Sequence, residues 1–300
     1  MSRIDIGGQA VIEGVMMKGP TKYAVAVRKP DKTIALDIKN STSLLKKYKL
    51  LNLPILRGII VFIESMIVGT KTLSYSAEFF DDGETEEVSK FEKWLEEKVG
   101  EKVLLAITMA ISFILAISIF MILPMLLSQV FRLFIPSSFI QNLIEGFIRI
   151  LIFLIYMKLI SKISDIQRTF EYHGAEHKTI NCLEQNKELT IENVKSCSRL
   201  HKSCGTSFLF IVMIVSILVF SLFTTQIIWV RTLTRIIMVP IVAGISYEFI
   251  RWARLKQDNI IAKFLSIPGM WLQNRFTTLE PDDKQIEVAI AAIKGVLDSE

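Results

Sequence analysis

Four apolar stretches of the chain are long enough to predict membrane-spanning helices. Two of them, residues 103–127 and 203–230, carry no charged side chain. A helix rises about 1.5 Å per residue, so about 20 apolar residues cross a bilayer core of about 30 Å. The other two stretches are apolar but contain a few ionisable residues. The sequence therefore predicts four transmembrane helices, at about 103–127, 139–160, 206–223 and 232–250.

The charged residues inside the predicted spans can be accommodated as a pair or at helix ends. A charged side chain near the bilayer centre costs about 3 kcal/mol unless it is paired or reaches water. Glu145 and Arg149 are four residues apart, so one helix face can hold them as a pair. Lys158 and Glu248 lie near the ends of their helices, from which long side chains can reach the membrane surface.

A β-hairpin is predicted near the N-terminus. Residues 22–28 and 33–38 alternate between polar and apolar side chains, and a Lys-Pro-Asp-Lys segment separates them. This pattern predicts two strands of a hairpin over 22–38. The GGQAVIEGVMMKGP segment before it is rich in glycine and methionine, and its residues alone favour a loop that enters the hairpin.

Amphipathic helices are predicted before and after the membrane domain in the sequence. Residues 55–70 are apolar but short, and Arg57, Glu64 and Lys71 recur every seven residues on one helix face. Such a helix lies in the membrane interface or packs on the spans. A second amphipathic helix follows near the C-terminus, with its apolar face formed by Ile286, Ala289, Ile290, Ile293 and Leu297.

The predicted fold is mainly α, with three parts along the chain. Residues 1–102 form an N-terminal cytosolic region that contains the hairpin and the interfacial helix. Residues 103–250 form the membrane domain, which includes a cytosolic loop at 161–205. Residues 251–300 form a C-terminal cytosolic amphipathic region.

The distribution of Lys and Arg predicts the orientation of the spans. There are 16 of them before residue 103, seven in 161–205 and seven in 251–300, whereas Arg132 is the only one between the first two predicted spans. Cytosolic loops carry the excess of basic residues, so both termini and the 161–205 loop are expected in the cytosol. The net charge of +5 indicates contact with anionic lipid. The basic residues do not form a stripe interleaved with aromatic residues, so nucleic acid is not expected as a partner.

All three histidines and all three cysteines lie between residues 173 and 204. A helix that continues from the second span places His173 and His177 one turn apart on one face, the spacing that presents two imidazoles to one ion. Glu176 completes an H-x-x-E-H pattern, which matches the inverted zinc-peptidase order with the glutamate as general base. His201 and Cys204 are expected to complete or modulate a Zn²⁺ site.

The residues leave several alternatives open for this segment. Cys182 and Cys197 could replace either proposed partner, and four protein ligands would make a metal purely structural. Without a metal, one alternative is a thiol enzyme in which Cys204 is the nucleophile beside a histidine. The other is a purely structural role, in which the histidines form hydrogen bonds to helix ends and the cysteines fill small spaces in the core. The leading hypothesis is a metal-dependent, hydrolase-like membrane protein. The alternatives are a non-enzymatic scaffold or helper of a protein insertion or translocation complex, and third a transporter, although the inverted repeat typical of transporters is not seen.

Three segments of the chain resemble the YqhQ-like family of bacterial membrane proteins. They are GGQAVIEGVMMKGP near the start, EYHGAEHKTI in the middle and HKSCGTSF before the third predicted span. The similarity continues to TTLEPDDKQIEVAIAAI near the end, so it covers almost the whole chain. The resemblance implies a multi-pass protein of the bacterial cytoplasmic membrane, in a family of unknown function that is sometimes labelled a predicted metal-dependent enzyme.

The resemblance also implies which residues form the site. Where this chain has Lys202 and Ser203, the family has Pro-Arg, which keeps the spacing and a positive charge. The N-terminal match implies a part for Gly7, Gly8, Gln9 and Glu13, without a defined role. The candidate site implied by the match consists of His173, Glu176, His177, His201 and Cys204.

Overall fold

The structure is a computed structural model of the 300-residue chain, mostly helical with one β-sheet near the N-terminus. It describes residues 6–80, 98–135, 137–202, 204–223, 225, 227–256 and 259–299. Residues 81–97 of the predicted N-terminal region thus lie outside the described residues. The chain divides into two compact units. The first unit comprises residues 1–80, 157–215 and 237–300, and the second comprises 81–156 and 216–236.

The helices are numbered here in chain order. They are α1 (Leu44–Lys47), α2 (Leu56–Ala77), α3 (Glu101–Ile117), α4 (Leu123–Ser128), α5 (Ser138–Ile160), α6 (Ser164–Glu184), α7 (Ile191–Ser196), α8 (Gly205–Ser221), α9 (Ile228–Leu255), α10 (Ile260–Leu272) and α11 (Asp283–Leu297). Short turns of other helix types lie at Lys49–Asn52, Ser118–Ile122, Gln129–Leu133 and Gln273–Thr277.

The sheet is an antiparallel meander of four neighbouring strands. Its strands are β1 (Gly7–Val11), β2 (Gly14–Lys18), β3 (Lys22–Arg28) and β4 (Ile34–Asn40), in that order. The predicted hairpin is present as β3 and β4. The interpretation of GGQAVIEGVMMKGP as an entry loop is wrong, because this segment forms β1 and β2. The β2 strand is buried on both faces, so its residues do not show the alternation by which half-buried strands are recognised.

Helices cover both faces of the sheet. Helix α2 covers one face, where its residues Val68 and Tyr75 pack against a cluster that includes Val25 of β3. Helices α6 and α11 cover the other face, which presents Val15 of β2 and Ala26 of β3. The predicted C-terminal amphipathic helix is therefore present and docks on the sheet. The predicted 55–70 helix is present within the longer α2.

Two helical stretches of the described chain are long and apolar enough to cross a membrane: Ala106–Phe131 and Ile228–Leu255. The prediction of four spans is therefore confirmed only to this extent. Helix α8 is apolar but has only 17 residues. Helix α5 has 23 residues, and three of them are charged: Glu145, Arg149 and Lys158.

The predicted continuation of the second span into the His/Cys segment is also wrong. Helix α5 ends at Ile160, and α6 begins at Ser164 after a turn. The connection predicted at 161–205 is mostly helical, since it contains α6 and α7. The H-x-x-E-H residues therefore lie on a separate helix, α6.

The second unit contains a buried ionic cluster around one carboxylate. The predicted pair is present, with Nη2 of Arg149 donating to Oε1 of Glu145 at 2.8 Å. Arg231 and Arg235 from α9 also donate to the Glu145 carboxylate, Arg231 at 2.8 Å and Arg235 to both oxygens. The guanidinium groups of Arg149 and Arg235 each lie 5.4 Å from the centroid of the Phe220 ring. Three arginines on two helices thus surround a glutamate that is 1% exposed.

Candidate metal centre

Helix α6 places the H-x-x-E-H residues on one side. His173, Glu176 and His177 are separated by three and four residues, so they share one helix face. Glu176 is 3% exposed and His177 is 1% exposed. The predicted arrangement of two imidazoles one turn apart is present, with ring centroids 4.4 Å apart.

Backbone carbonyls fix the orientation of both imidazoles. Nδ1 of His173 lies 2.7 Å from the carbonyl oxygen of Thr277, and Nδ1 of His177 lies 2.7 Å from that of Arg199. A carbonyl only accepts hydrogen bonds, so both Nδ1 atoms carry the hydrogen and donate it. An imidazole that donates through Nδ1 and carries no second proton keeps a lone pair on Nε2, the arrangement typical of histidines that bind metals. Burial holds the pKa of His177 well below its usual value, so this ring is neutral.

Cys204 brings a sulfur atom to the same point. Its Sγ lies 3.2 Å from Nε2 of His173, directly before α8. Thr206 approaches the sulfur with its backbone N–H at 3.4 Å and its hydroxyl at 3.3 Å. Burial raises the pKa of the Cys204 thiol. Ligand atoms of His173, His177 and Cys204 all lie within 4.8 Å of one another, and these residues are called the three-ligand cluster below.

The fourth predicted ligand, His201, does not join the three-ligand cluster. Its Nε2 faces Oε2 of Glu184 at 3.5 Å, at the C-terminal end of α6. Gln273 holds its backbone, because the Gln273 amide accepts from the His201 N–H and donates to the His201 carbonyl, both at 2.9 Å. This two-point contact fixes the local chain. The ring centroid of His201 consequently lies 5.7 Å from that of His177, and the expected four-ligand set is reduced to three.

The other two cysteines lie elsewhere in the first unit. Cys182 and Cys197 are buried free thiols. Their sulfur atoms approach the carbonyl oxygens of Glu188 at 3.6 Å and Asn193 at 3.3 Å. Among the described residues neither belongs to the converging set. The alternative in which they replace His201 or Cys204 therefore has no support in the geometry.

Glu176 lies beside the three-ligand cluster without a cationic side chain against it. Its Oε2 lies 3.6 Å from Nε2 of His177 and 3.8 Å from Nε2 of His173. Burial raises the pKa of Glu176 to about 8, an effect that the nearby Cys204 increases and His173 opposes. In the described part of the chain no lysine or arginine forms an ion pair with it. The carboxyl group consequently keeps its proton at neutral pH.

The structure gives a role to Gly8 of β1, one of the N-terminal motif residues for which the sequence suggested none. A Cβ atom at this position would lie 2.6 Å from Oε1 and 2.7 Å from Cγ of Glu176. The strand therefore covers the Glu176 side chain closely only because residue 8 is glycine. The adjacent Gly7 has nothing within 4 Å of its Cβ position.

Gly174 has a similar role on the other side of α6. A Cβ atom there would lie 2.0 Å from the carbonyl oxygen of Leu279. The Leu279 N–H also donates to the carbonyl of Phe170 at 3.0 Å, so the 277–279 segment runs directly along the helix. This close approach brings the Thr277 carbonyl to His173. The spacing of His173 and His177 predicts a pair of metal ligands, but it does not predict the contact with the 277–279 segment, which lies about a hundred positions later in the sequence.

The side chain of Arg199, whose own carbonyl contacts His177, binds the 274–278 segment. Its guanidinium donates to the Thr278 carbonyl and, at 2.8 Å, to Oδ1 of Asn274. The backbone that supplies the His177 contact is therefore anchored to the chain that supplies the His173 contact. Both imidazoles are held by one continuous network, which restricts where their Nε2 atoms point.

The three-ligand cluster has the chemistry of a transition-metal site. Two imidazole nitrogens and one thiol sulfur form a donor set that suits zinc, and three protein ligands leave a coordination position open. Glu176 lies beside these donor atoms and carries a carboxyl group that can accept or donate a proton. It is the one carboxyl group that the described residues place against both histidines, so the arrangement is not an aspartate dyad.

Comparison with known proteins places the chain in a family. The family model described as "Protein of unknown function (DUF1385)" matches residues 53–299. A relative from Bacillus subtilis (strain 168), the "Uncharacterized protein YqhQ", is 38% identical over an alignment of 298 positions that covers 97% of this chain and 92% of the relative. No solved structure matches. The resemblance predicted from the motifs is confirmed, and the chain belongs to the DUF1385 family of YqhQ-like proteins.

Proposed function

We propose that the three-ligand cluster binds one zinc ion and that the chain is a metal-dependent, hydrolase-like membrane protein. The observation that carries the proposal is the convergence of one ligand atom each from His173, His177 and Cys204 within 4.8 Å of one another. Zn–N bonds of about 2.0 Å and Zn–S bonds of about 2.3 Å put tetrahedral ligand atoms about 3.3–3.8 Å apart. The 3.2 Å between His173 and Cys204 is already close to this spacing.

The electrostatics of the site support a cation at this point. His177 is neutral, Cys204 holds its proton because it is buried, and Glu176 is protonated by the same cause. A divalent cation stabilises the thiolate and lowers the pKa of a neighbouring carboxyl group. The residues therefore fit zinc better than they fit the metal-free alternative, in which Cys204 needs an ionised thiol as nucleophile.

Glu176 has the position of a general base in this proposal. Zinc supplies a Lewis acid and a more acidic bound water. Oε2 of Glu176 lies 3.8 Å and 3.6 Å from Nε2 of His173 and His177, so this carboxyl group, once ionised beside the cation, would be placed to accept a proton from a water held at the cluster. Gly8 holds the carboxyl group against the cluster from the strand side. The reaction class that these roles support is metal-assisted hydrolysis.

We further propose a multi-pass topology in the cytoplasmic membrane. Helices α5 and α8 cross together with the two longer stretches, and the three-ligand cluster and both termini face the cytosol. The support is the distribution of Lys and Arg, with seven each in 161–205 and 251–300. The lipid bilayer is then the partner of the chain. A fluorescent-protein fusion at the C-terminus should fluoresce, and an alkaline phosphatase fusion after Leu222 should be active; the reverse result contradicts the topology.

Metal analysis of the purified full-length chain tests the zinc proposal. We expect about one zinc per chain by elemental analysis after purification without chelator. His177→Ala and Cys204→Ser should each lose the metal, because each removes one of three ligands. His201→Ala is the matched control and should retain zinc, since His201 faces Glu184. Equal zinc loss in all three variants would contradict the three-ligand assignment.

An exchangeable-ligand experiment separates catalytic from structural zinc. In the Co²⁺-substituted protein, azide should change the visible absorption spectrum if one coordination position is open. An unchanged spectrum at high azide indicates four protein ligands. That result would favour the non-enzymatic alternative, in which the cluster only braces a scaffold for another membrane complex.

A further inference from the structure

The apolar face of α10 is unusually exposed. Ile260 is 83% exposed, Phe264 69%, Ile267 58% and Trp271 50%. These positions are spaced by four, three and four residues, so they form one stripe along the helix. The opposite side packs into the first unit, with Ala262 and Leu272 nearly fully buried. An amphipathic helix with this exposed stripe is typical of segments that lie in a membrane interface.

A cleft lies beside this stripe within the first unit. It opens to solvent between the start of α8, the end of α9 and the start of α10. Ile211, Ile250 and Leu265 supply apolar walls.

Basic side chains line the same cleft. Lys202, Arg254 and Lys263 all contribute to it, and all three are exposed. None of the described residues that line it is acidic. Lys263 also flanks the exposed stripe of α10, since it lies one position before Phe264. The cleft thus combines positive charge with apolar walls, next to a helix face that suits lipid.

We infer that this cleft binds the phosphate headgroup of an anionic phospholipid, with the acyl chain against Ile211, Ile250 and Leu265. The three cations match the charge of the phosphate, and the stripe of α10 places the cleft at headgroup depth. A soluble acidic peptide fits less well, because it would leave the α10 stripe exposed to water. The inference goes beyond the proposed zinc function and does not depend on the metal.

Retention of phospholipid by the full chain in detergent tests this inference. Native mass spectrometry should detect phosphatidylglycerol bound in preference to phosphatidylcholine at equal concentration. A basic residue near an anionic lipid surface contributes a free energy that corresponds to about a fivefold change in binding. Lys202→Gln and Lys263→Gln should therefore each weaken phosphatidylglycerol binding about fivefold, and the double variant about 25-fold. Lys294→Gln, an exposed lysine of α11, is the matched control and should have no effect.

Further outcomes separate the lipid from other sources of phosphate. Glycerophosphoglycerol, which has the headgroup but no acyl chains, should compete poorly; competition equal to that of the intact lipid would overturn the inference. Equal retention of both lipids, or equal loss in the Lys294 variant, would also overturn it. The zinc-free His177→Ala variant should retain phosphatidylglycerol, so failure of the lipid inference and failure of the zinc proposal are distinguishable.

Discussion

Two glutamates in the described part of the chain are buried in very different surroundings. Glu145 in the second unit is 1% exposed, and Glu176 in the first unit is 3% exposed. Three guanidinium groups donate to the Glu145 carboxylate. Glu176 instead faces two imidazoles, and its pKa is raised to about 8.

The difference shows how surroundings decide the role of a buried carboxyl group. Burial disfavours the ionised form unless a cation or several donors stabilise it. The arginines stabilise the charge of Glu145, so this group joins α5 to α9 as a fixed ionic tie. The described residues place no lysine or arginine against Glu176, and burial keeps an exchangeable proton on its carboxyl group. A carboxyl group of the second kind, beside converging ligand atoms, is typical of a site where chemistry occurs.

The largest expected effect is the loss of stability in Glu145→Gln. The amide leaves three buried guanidinium groups without a counter-charge, and breaking a buried ion pair on one side costs about 3–5 kcal/mol. The measurement is the free energy of unfolding in detergent. Glu248→Gln is the control, because Glu248 pairs with Arg57 at a more exposed position and should cost about 1 kcal/mol or less. Equal losses in the two variants would remove the distinction between a buried tie and a surface pair.

The next effect is expected from Gly174→Ala in α6. Alanine normally stabilises a helix interior by about 1 kcal/mol relative to glycine. Here its Cβ would lie 2.0 Å from the Leu279 carbonyl oxygen, and overpacking costs about 1–3 kcal/mol. We therefore expect a net destabilisation of about 1–2 kcal/mol, measured by the same unfolding assay, with weaker zinc binding as His173 loses the Thr277 carbonyl. A more stable variant would show that the 277–279 segment does not depend on this contact.

Local patterns in the sequence were sufficient to predict several elements of the fold. The β3–β4 hairpin, α11 and the face shared by His173 and His177 all depend on spacing within one element. The pairing of Glu145 with Arg149 also follows from their separation by four residues. These features need no knowledge of distant parts of the chain.

Features that depend on distant contacts could not be predicted in this way. His201 turns toward Glu184 because Gln273, 72 positions later, holds its backbone at two points. Arg231 and Arg235 reach Glu145 only because α9 packs beside α5 in the second unit. The GGQ segment gave no strand signal, because glycine has a low strand propensity and Gly8 instead allows the close approach to Glu176.

Substitution of the adjacent residues Gly7 and Gly8 tests whether the position of the Glu176 carboxyl group affects zinc binding. Gly8→Ala should move the Glu176 carboxyl group, because the new Cβ would lie within 3 Å of three of its atoms. Changes in residues that support a metal site typically weaken metal binding 10–100-fold, and we expect about tenfold here. Competition with a coloured zinc chelator measures it. Gly7→Ala, with nothing within 4 Å, should bind zinc as the wild type does; equal weakening would attribute the effect to the strand rather than to Glu176.

The smallest effect is expected from Glu176→Gln in metal-free protein at pH 4. Protonated glutamic acid and glutamine are both neutral and nearly the same size, so the free energy of unfolding should change by less than about 0.5 kcal/mol. The choice of pH follows from linkage. Because burial raises the pKa of Glu176 from 4.5 to about 8, the unfolded chain releases this proton first as the pH rises. Wild type therefore loses stability relative to the variant between those two values. A loss as large as that of Glu145→Gln, measured at pH 4, would show that Glu176 is an ionised structural tie like Glu145, and would remove the basis for its role as a general base.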